Sequence, residues 1–283
     1  MQGPRLPMTC AILGPGLVGC YLGAAANAES VTVGPSGRIK SDLVRLASGT
    51  RRWLPRPIRL IDLESSIPLL VCSRAHLTPW AQLPGKALCA QNGLGQPRPV
   101  AVCFFAVDLT DGVIHATGTD PRIVVGPLPA AWIPVLSAWR SAGLIVDQVA
   151  DARAAQWEKA VLNATVGPLC VATGLGMAAV WRDHRDLVLS ATAEGLAIAS
   201  AELAALGAPG IPDGALDRAA AFFAAVGNHR PSAVVDHGEL PWLFGPLAEA
   251  GRHHGIPAPS LEKISRMAGC TITTALASDR RSG

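Results

Sequence analysis

Two sets of residues have types and spacings that can do chemistry. The first is Gly14-Pro15-Gly16-Leu17-Val18-Gly19, which ends the apolar run 10–13 and opens a helix-patterned stretch reaching about Asn27. This is G-x-G-x-x-G in the strand-turn-helix context it requires. Gly14 permits a tight turn, Gly16 lets the backbone approach a pyrophosphate, and Gly19 allows the helix to pack closely on the strand. The N–H groups around Leu17 and Val18 add the positive end of a helix dipole, which attracts phosphate. The turn reads as dinucleotide-binding, with a purely structural glycine turn as the alternative. The second set is Lys159 and Asn163, four apart in "QWEKAVLNATVGPL" and so on one face of a helix. A lysine with an ordinary pKa of about 10.4 holds its proton at neutral pH. It can stabilise and protonate an oxygen that gains negative charge in a reaction. A solvated polar helix face has the same spacing.

The glycine turn lacks a companion. An NAD site places Asp or Glu about 20 residues further on, against the ribose 2′-hydroxyl. Here the strand "VTV" runs into Gly34-Pro35-Ser36-Gly37-Arg38-Ile39-Lys40, and the next carboxylate is Asp42. Ser36, Arg38 and Lys40 suit a 2′-phosphate, which a carboxylate would repel and a guanidinium can grip in two places. NADP(H) is therefore the expected cofactor. A solvated loop with ordinary basic residues is the competing reading.

The elements that must position these residues fall into two textures. "TCAIL", "SVTV", "IPLLVCS", "GKALCA", "PVAVCFFAV" and "PRIVVG" read as short strands, which with intervening helical lengths suggest a parallel α/β sheet. From "DARAAQWEKAVLNATV" onward the chain is Ala-rich and helix-patterned. The boundary is placed close to Asp151. The expected fold is thus an N-terminal Rossmann-type, doubly wound parallel sheet over 1–150, binding NADP, and an all-helical substrate or catalytic domain over 151–283.

Bulk properties exclude several classes. The 283 residues are 49% hydrophobic and 16% charged, with a net charge of +3. That is a globular composition, too weakly basic to argue for nucleic acid. Mean hydropathy is +0.32. The longest apolar stretch, "LVLSATAEGLAIASAELAALG", carries Glu194 and Glu202 and reads as a buried helix, so no membrane partner is expected. "MQGPRLPM" shows no apolar signal segment. Seven cysteines without a C-x-x-C or Cys/His cluster read as buried free thiols in a reducing compartment, taken as the cytoplasm. No metal site is expected: His253 and His254 are adjacent, so a helix would point them apart. His115 reads as structural.

With "CAQNGLG" (89–95), "QWEKAVLNATVGPL" (156–169) and "PSAVVDHGELPWLFGPLAEAGRHHGIPAPS" (231–260), the glycine turn resembles the ketopantoate reductase family (2-dehydropantoate 2-reductase) from about Met8 to about Ile264. The resemblance implies NADPH-dependent reduction of a 2-oxo acid, of the 2-dehydropantoate-to-pantoate type, and a place in pantothenate biosynthesis. It makes Lys159 the general acid and Asn163 a substrate ligand. Glu239 would bond the substrate and support the lysine, and Ser232 would help hold the substrate carboxylate. Asn92 would meet the substrate or the nicotinamide end of the cofactor, and Arg74 stands where a family lysine reaches the cofactor phosphates. Asn92 also suits a plain Asn-Gly turn and Ser232 a helix cap. The resemblance places the substrate in an interdomain cleft, leaves a homodimer open, and makes the turn near Asn92 and the segment near Asp151 hinge candidates.

The departures concern the substrate shell. A family asparagine is Gly167 here, and an acidic residue two places after the family glutamate is Pro241. The family arginine falls at Ser36, so Arg38 must replace it, and the segment from Ser232 to Glu239 is short. Two rival readings follow: a reductase of the same fold acting on another 2-oxo or imine substrate, and a non-catalytic NADP-binding protein.

Overall fold

The computed structural model describes residues 10–32, 39–55 and 57–270. Contacts divide the chain into two units: Met1–Gln91 with Gln96–Ala150, and Asn92–Gly95 with Asp151–Gly283.

In the unit that holds the N-terminus, β1 (Ala11–Leu13) runs through the glycine turn into α1 (Leu17–Ala26) and β2 (Glu29–Thr32). Then come β3 (Leu43–Leu46), β4 (Gly49–Arg52), β5 (Pro57–Arg59), β6 (Leu69–Val71) and β7 (Ala87–Cys89). A long hairpin of β8 (Ala101–Thr110) and β9 (Val113–Val125) precedes α2 (Ile133–Ser141) and β10 (Ile145–Gln148). The first sheet has the order β5-β2-β1-β6-β7 with every pair parallel. β1, β6 and β7 are buried throughout, as apolar runs covered on both faces must be. This is the Rossmann-type parallel sheet that the apolar runs predict.

A second, mixed sheet departs from that expectation. Its order is β10-β9-β3-β4, with β8 antiparallel to β9. The β8–β9 hairpin turns at Asp111-Gly112, both with positive φ (50° and 76°). Positive φ at both central residues is what a type I′ turn needs, and Asp-Gly supplies it.

Close packing around α1 explains its small residues. Gly19 to Ala26 are all buried. A Cβ at Gly23 would lie 2.6 Å from the Trp53 ring. The indoles that cover α1 are tied to backbone: Trp53 donates to Ala28 O at 2.8 Å and Trp139 to Leu22 O at 3.1 Å. Each thus buries a large apolar ring without leaving its N–H unpaired.

The described residues of the other unit form helices and no strand: α3 (Arg153–Thr173), α4 (Met177–Asp183), α5 (Arg185–Ala205), α6 (Ala215–Ala225), α7 (Ser232–Val235), α8 (Leu240–His253) and α9 (Pro259–Met267). α5 is long and apolar enough to cross a membrane by length and composition. Its buried residues, Val188, Ala191, Thr192, Gly195, Ile198, Ala199 and Leu203, follow helical spacing and pack inside this unit. Gly195 lets α3 close in, since a Cβ there would meet Val161 at 2.8 Å. Two of the three α5 carboxylates, Glu194 and Glu202, work internally. Glu194 accepts from the N–H groups of Ser260 and Leu261 at the start of α9, and Glu202 meets His254 Nε2 at 2.7 Å.

The histidine pair differs from expectation. The rings of His253 and His254 do not point apart; their centroids are 4.8 Å apart, edge to face, because the pair sits where α8 ends. His115 on β9 meets Thr110 Oγ1 at 3.1 Å.

Candidate functional site

The glycine turn has a defined shape. Gly14 has φ +85°, and a Cβ there would run into the backbone of Ser73. Only glycine tolerates both conditions. Gly16 N donates to Gly14 O at 2.8 Å, closing the turn around Pro15, and Gly16 is the N-cap of α1. Open space surrounds the position of a Gly16 Cβ, whereas one at Gly19 would strike Gly14 O. Leu17 and Val18 begin the helix, and its first turn carries no acidic residue.

A bare Gly16 backed by open space, at an uncapped helix start with no acidic residue in its first turn, fits a diphosphate. Arg74 follows Ser73, the residue against which Gly14 packs, and caps a 3-10 turn at Ala75–Leu77. Gln91 Nε2 donates to Ser73 O at 2.5 Å and to Thr78 Oγ1 at 2.7 Å, which ties down this loop. Ser36 and Arg38 lie outside the described residues. Lys40 is described and exposed.

The helical unit gathers four of the expected residues into one directed chain of hydrogen bonds. Asn163 Nδ2 on α3 donates to Asn92 Oδ1 at 3.0 Å. Asn92 Nδ2 donates to Ser232 Oγ at 3.3 Å. The Ser232 hydroxyl donates to Glu239 Oε2 at 2.5 Å. Every donor and acceptor role is used in its proper sense, and the chain ends on a carboxylate only 8% exposed.

Asn92 reaches this network because the four residues Asn92–Gly95 group with the helical unit although Gln91 and Gln96 do not. Gly93, with φ +90°, seats them: a Cβ there would lie 2.8 Å from Trp242 O at the start of α8. The Asn-Gly turn and the polar role of Asn92 therefore coexist. Ser232 is the first residue of α7 and Pro231, not Ser232, is its N-cap.

Lys159 stands one turn before Asn163 on α3, half-buried. Its ammonium lies 5.2 Å from the centre of the Phe222 ring on α6. Its neighbour Glu158 is buried and paired with Arg218, whose Nη2 is 3.0 Å from Oε1. Arg218 also donates to Asp213 O and Pro212 O. Arg218 and Phe222 are four apart, so one face of α6 reaches two adjacent residues of α3, Glu158 and Lys159. Sequence reasoning missed Arg218 and Phe222. An aromatic and an arginine in an Ala-rich helix carry no signal of a partner about 60 residues earlier.

The two departures have structural counterparts. Gly167 is buried, and a Cβ there would touch only Pro231, at 3.7 Å. Pro241 sits in the first turn of α8, where a missing N–H costs nothing. A separate cavity of about 830 Å³, lined by Ile198, Phe244, Leu247 and Leu261 among others, contains none of these residues.

Residues 151–269 match the family model for the C terminal of ketopantoate reductase PanE/ApbA. That stretch, residues 151–269, is similar to the C-terminal domain of the ketopantoate reductases. No curated protein matches the chain. Among solved structures, a 2-dehydropantoate 2-reductase from Geobacter metallireducens GS-15 is 24% identical, with TM-score 0.71 over 92% of this chain and 99% of that one. A dimeric ketopantoate reductase from Staphylococcus aureus is 15% identical, with TM-score 0.67 over 92% and 97%. A D-mandelate dehydrogenase with NADH and anilino(oxo)acetate is 15% identical, with TM-score 0.68 over 92% and 97%. At these identities the likeness is one of fold. The fold is that of the ketopantoate reductases.

Proposed function

We propose that this chain reduces a 2-oxo acid to the 2-hydroxy acid with NADPH. The observation that carries the reading is the directed chain Asn163–Asn92–Ser232–Glu239 with Lys159 one helical turn away. The reduced dinucleotide, when bound, supplies a hydride to the carbonyl carbon. The protein's own residues do the rest. Gly14, Gly16 and Gly19, with the N–H groups at Leu17 and Val18, hold the diphosphate. Lys159 Nζ stabilises the negative charge that builds on the carbonyl oxygen and gives it a proton. The lysine then regains a proton from water. The amides of Asn92 and Asn163 present donors suited to a carboxylate, and Ser232, whose hydroxyl hydrogen goes to Glu239, holds Asn92 by accepting from its amide.

NADPH is favoured over NADH because no carboxylate follows the second strand before Asp42. The D-mandelate dehydrogenase neighbour, described with NADH, makes cofactor choice a point to test. That neighbour also favours a second reading, a reductase of the same fold acting on a 2-oxo acid other than ketopantoate. Gly167 and Pro241 support it, since both leave fewer polar groups near the substrate. A homodimer, as in the Staphylococcus aureus neighbour, and a reducing cytoplasm, suited to seven free thiols, complete the reading.

The deciding measurement is oxidation of NADPH and of NADH against a panel of 2-oxo acids that includes ketopantoate. Arg74→Ala is expected to weaken NADPH binding about tenfold and leave NADH nearly unchanged, since a charged hydrogen bond is worth about 1.5–3 kcal/mol before solvent screening. Equal wild-type affinities for the two cofactors would overturn the NADPH assignment.

A further inference from the structure

We infer that Arg59 is a specificity-determining residue for the 2′-phosphate of NADP, and that Asp62 is the counter-ion that holds its guanidinium until the phosphate arrives. The inference rests on the NADPH reading and adds to it an ion pair that sets how tightly the adenosine end is held. In a doubly wound sheet the dinucleotide lies outside the carboxyl ends of the strands, and its ribose 2′ position sits by the end of the second strand. What stands beside that strand end therefore decides which substituent the ribose can bear.

The register of the first sheet puts Arg59 there. β5 runs parallel to β2, with Ile58 opposite Val31 and Arg59 opposite Thr32, the last residue of β2. Val31 is in turn opposite Leu13, so Arg59 ends its strand at the level of Gly14, the first residue of the glycine turn. Neighbouring strands lie about 4.8 Å apart, a spacing that an extended arginine side chain exceeds. The guanidinium of Arg59 can therefore reach the space beyond the end of β2.

Asp62 holds that guanidinium at the strand end. Arg59 is the N-cap of the 3-10 turn Leu60–Asp62, and the turn returns the Asp62 carboxylate to it. Arg59 Nε donates to Asp62 Oδ2 at 2.6 Å and Nη2 to Asp62 Oδ1 at 2.9 Å, a two-point grip. The guanidinium keeps the Asp62 carboxyl below the usual carboxylate range, so the pair stays charged at neutral pH. Both side chains remain open to solvent, at 75% and 48% exposed. An exposed pair of this kind adds little to stability, so its partners can exchange. A phosphate monoester carries about −1.5 to −2 charge at pH 7 and offers the same fork more acceptor oxygens than one carboxylate does. Asp62 repels that phosphate while Arg59 attracts it, so the two residues act on its affinity in opposite directions.

Calorimetric titration of the full chain with 2′,5′-ADP and with 5′-AMP tests this, because the two ligands differ only in the 2′-phosphate. Wild type should bind 2′,5′-ADP tighter than 5′-AMP by about tenfold or more, and Arg59→Ala should lose about tenfold for 2′,5′-ADP, the scale of an exposed charged hydrogen bond. Asp62→Asn should instead gain about threefold for 2′,5′-ADP, the scale of an exposed ion pair. All variants should bind 5′-AMP alike, whereas damage to the fold would weaken both ligands together. The gain should disappear in Arg59→Ala/Asp62→Asn, where there is no guanidinium to release. An Arg59→Ala variant that keeps the wild-type preference would overturn the proposal and leave the NADPH reading standing. A wild type that binds the two ligands equally would overturn both. A gain from Asp62→Asn that persists without Arg59 would overturn the counter-ion role, since the carboxylate would then act at a distance.

Discussion

Glu239 closes the polar chain at one end by accepting a hydrogen bond from the Ser232 hydroxyl, and Lys159 stands one helical turn from Asn163 at the other. In the proposed reaction the lysine acts mainly when charge builds on the substrate oxygen. Lys159→Ala should therefore lower kcat by about 10²-fold or more while NADPH affinity stays nearly constant. Steady-state rates and a cofactor titration on the same preparation check it, and a wild-type turnover number would remove Lys159 from the chemistry. Lys159 and Asn163 were picked out by their i, i+4 spacing, and Ser232 and Glu239 only through the family resemblance. Phe222 and Arg218 were not. Their role depends on α6 folding back on α3, a long-range contact that leaves no local spacing to read. The loop with Ser36 and Arg38 was read from charge alone, and it falls outside the described residues.

At the scale of elements, the turn between β1 and α1 is tightly constrained. Gly14→Ala must place a Cβ at φ +85° and against the Ser73 backbone. The left-handed conformation alone costs about 1–2 kcal/mol. The variant should melt earlier and bind dinucleotide weakly, whereas Gly16→Ala, with open space at its Cβ, should melt like wild type. Differential scanning fluorimetry with and without NADPH separates the two. Glu194 sets a second element. It supplies the acceptor that α9 lacks at its own N-terminus, where Ala258 makes no side-chain cap. Glu194→Ala should lose about 1 kcal/mol, the usual value of a helix cap, and lower Tm by a few degrees. The first sheet was legible because its apolar runs are buried on both faces. The second was largely not. β4 is "GTRR", exposed at every position, and its pairing with β3 rests on hydrogen bonds rather than pattern.

Across the whole molecule, the seven cysteines are free, and four are buried. Burial pushes the Cys89 thiol from its ordinary 9.0 to about 12, although the Arg98 charge opposes it. Burial does the same to Cys170, to about 12, and raises Cys72 well above its ordinary value, with the thiols of Cys103, Cys10, Cys89 and Cys20 adding to the rise. The native state thus keeps protons that the unfolded chain releases. Stability is intact below about pH 9 and falls as the pH rises from there toward 12, because unfolding then frees thiols to ionise. Melting temperatures across the alkaline range should show this decline, and Cys89→Ala should flatten it; a flat wild-type profile would contradict the burial of these thiols.

The grouping of Asn92–Gly95 with the helices has a practical consequence for anyone dividing the gene. The helical domain is not one continuous stretch of chain. A fragment starting at residue 151, where the family match also begins, leaves its asparagine donor behind in the other half. Such a fragment would present Asn163 and Ser232 with a missing partner and Trp242 with a bare seat. Dissection should therefore weaken the helical piece more than the loss of four residues suggests. A permuted chain that carries residues 92–95 along with the helices would be the faithful way to isolate it.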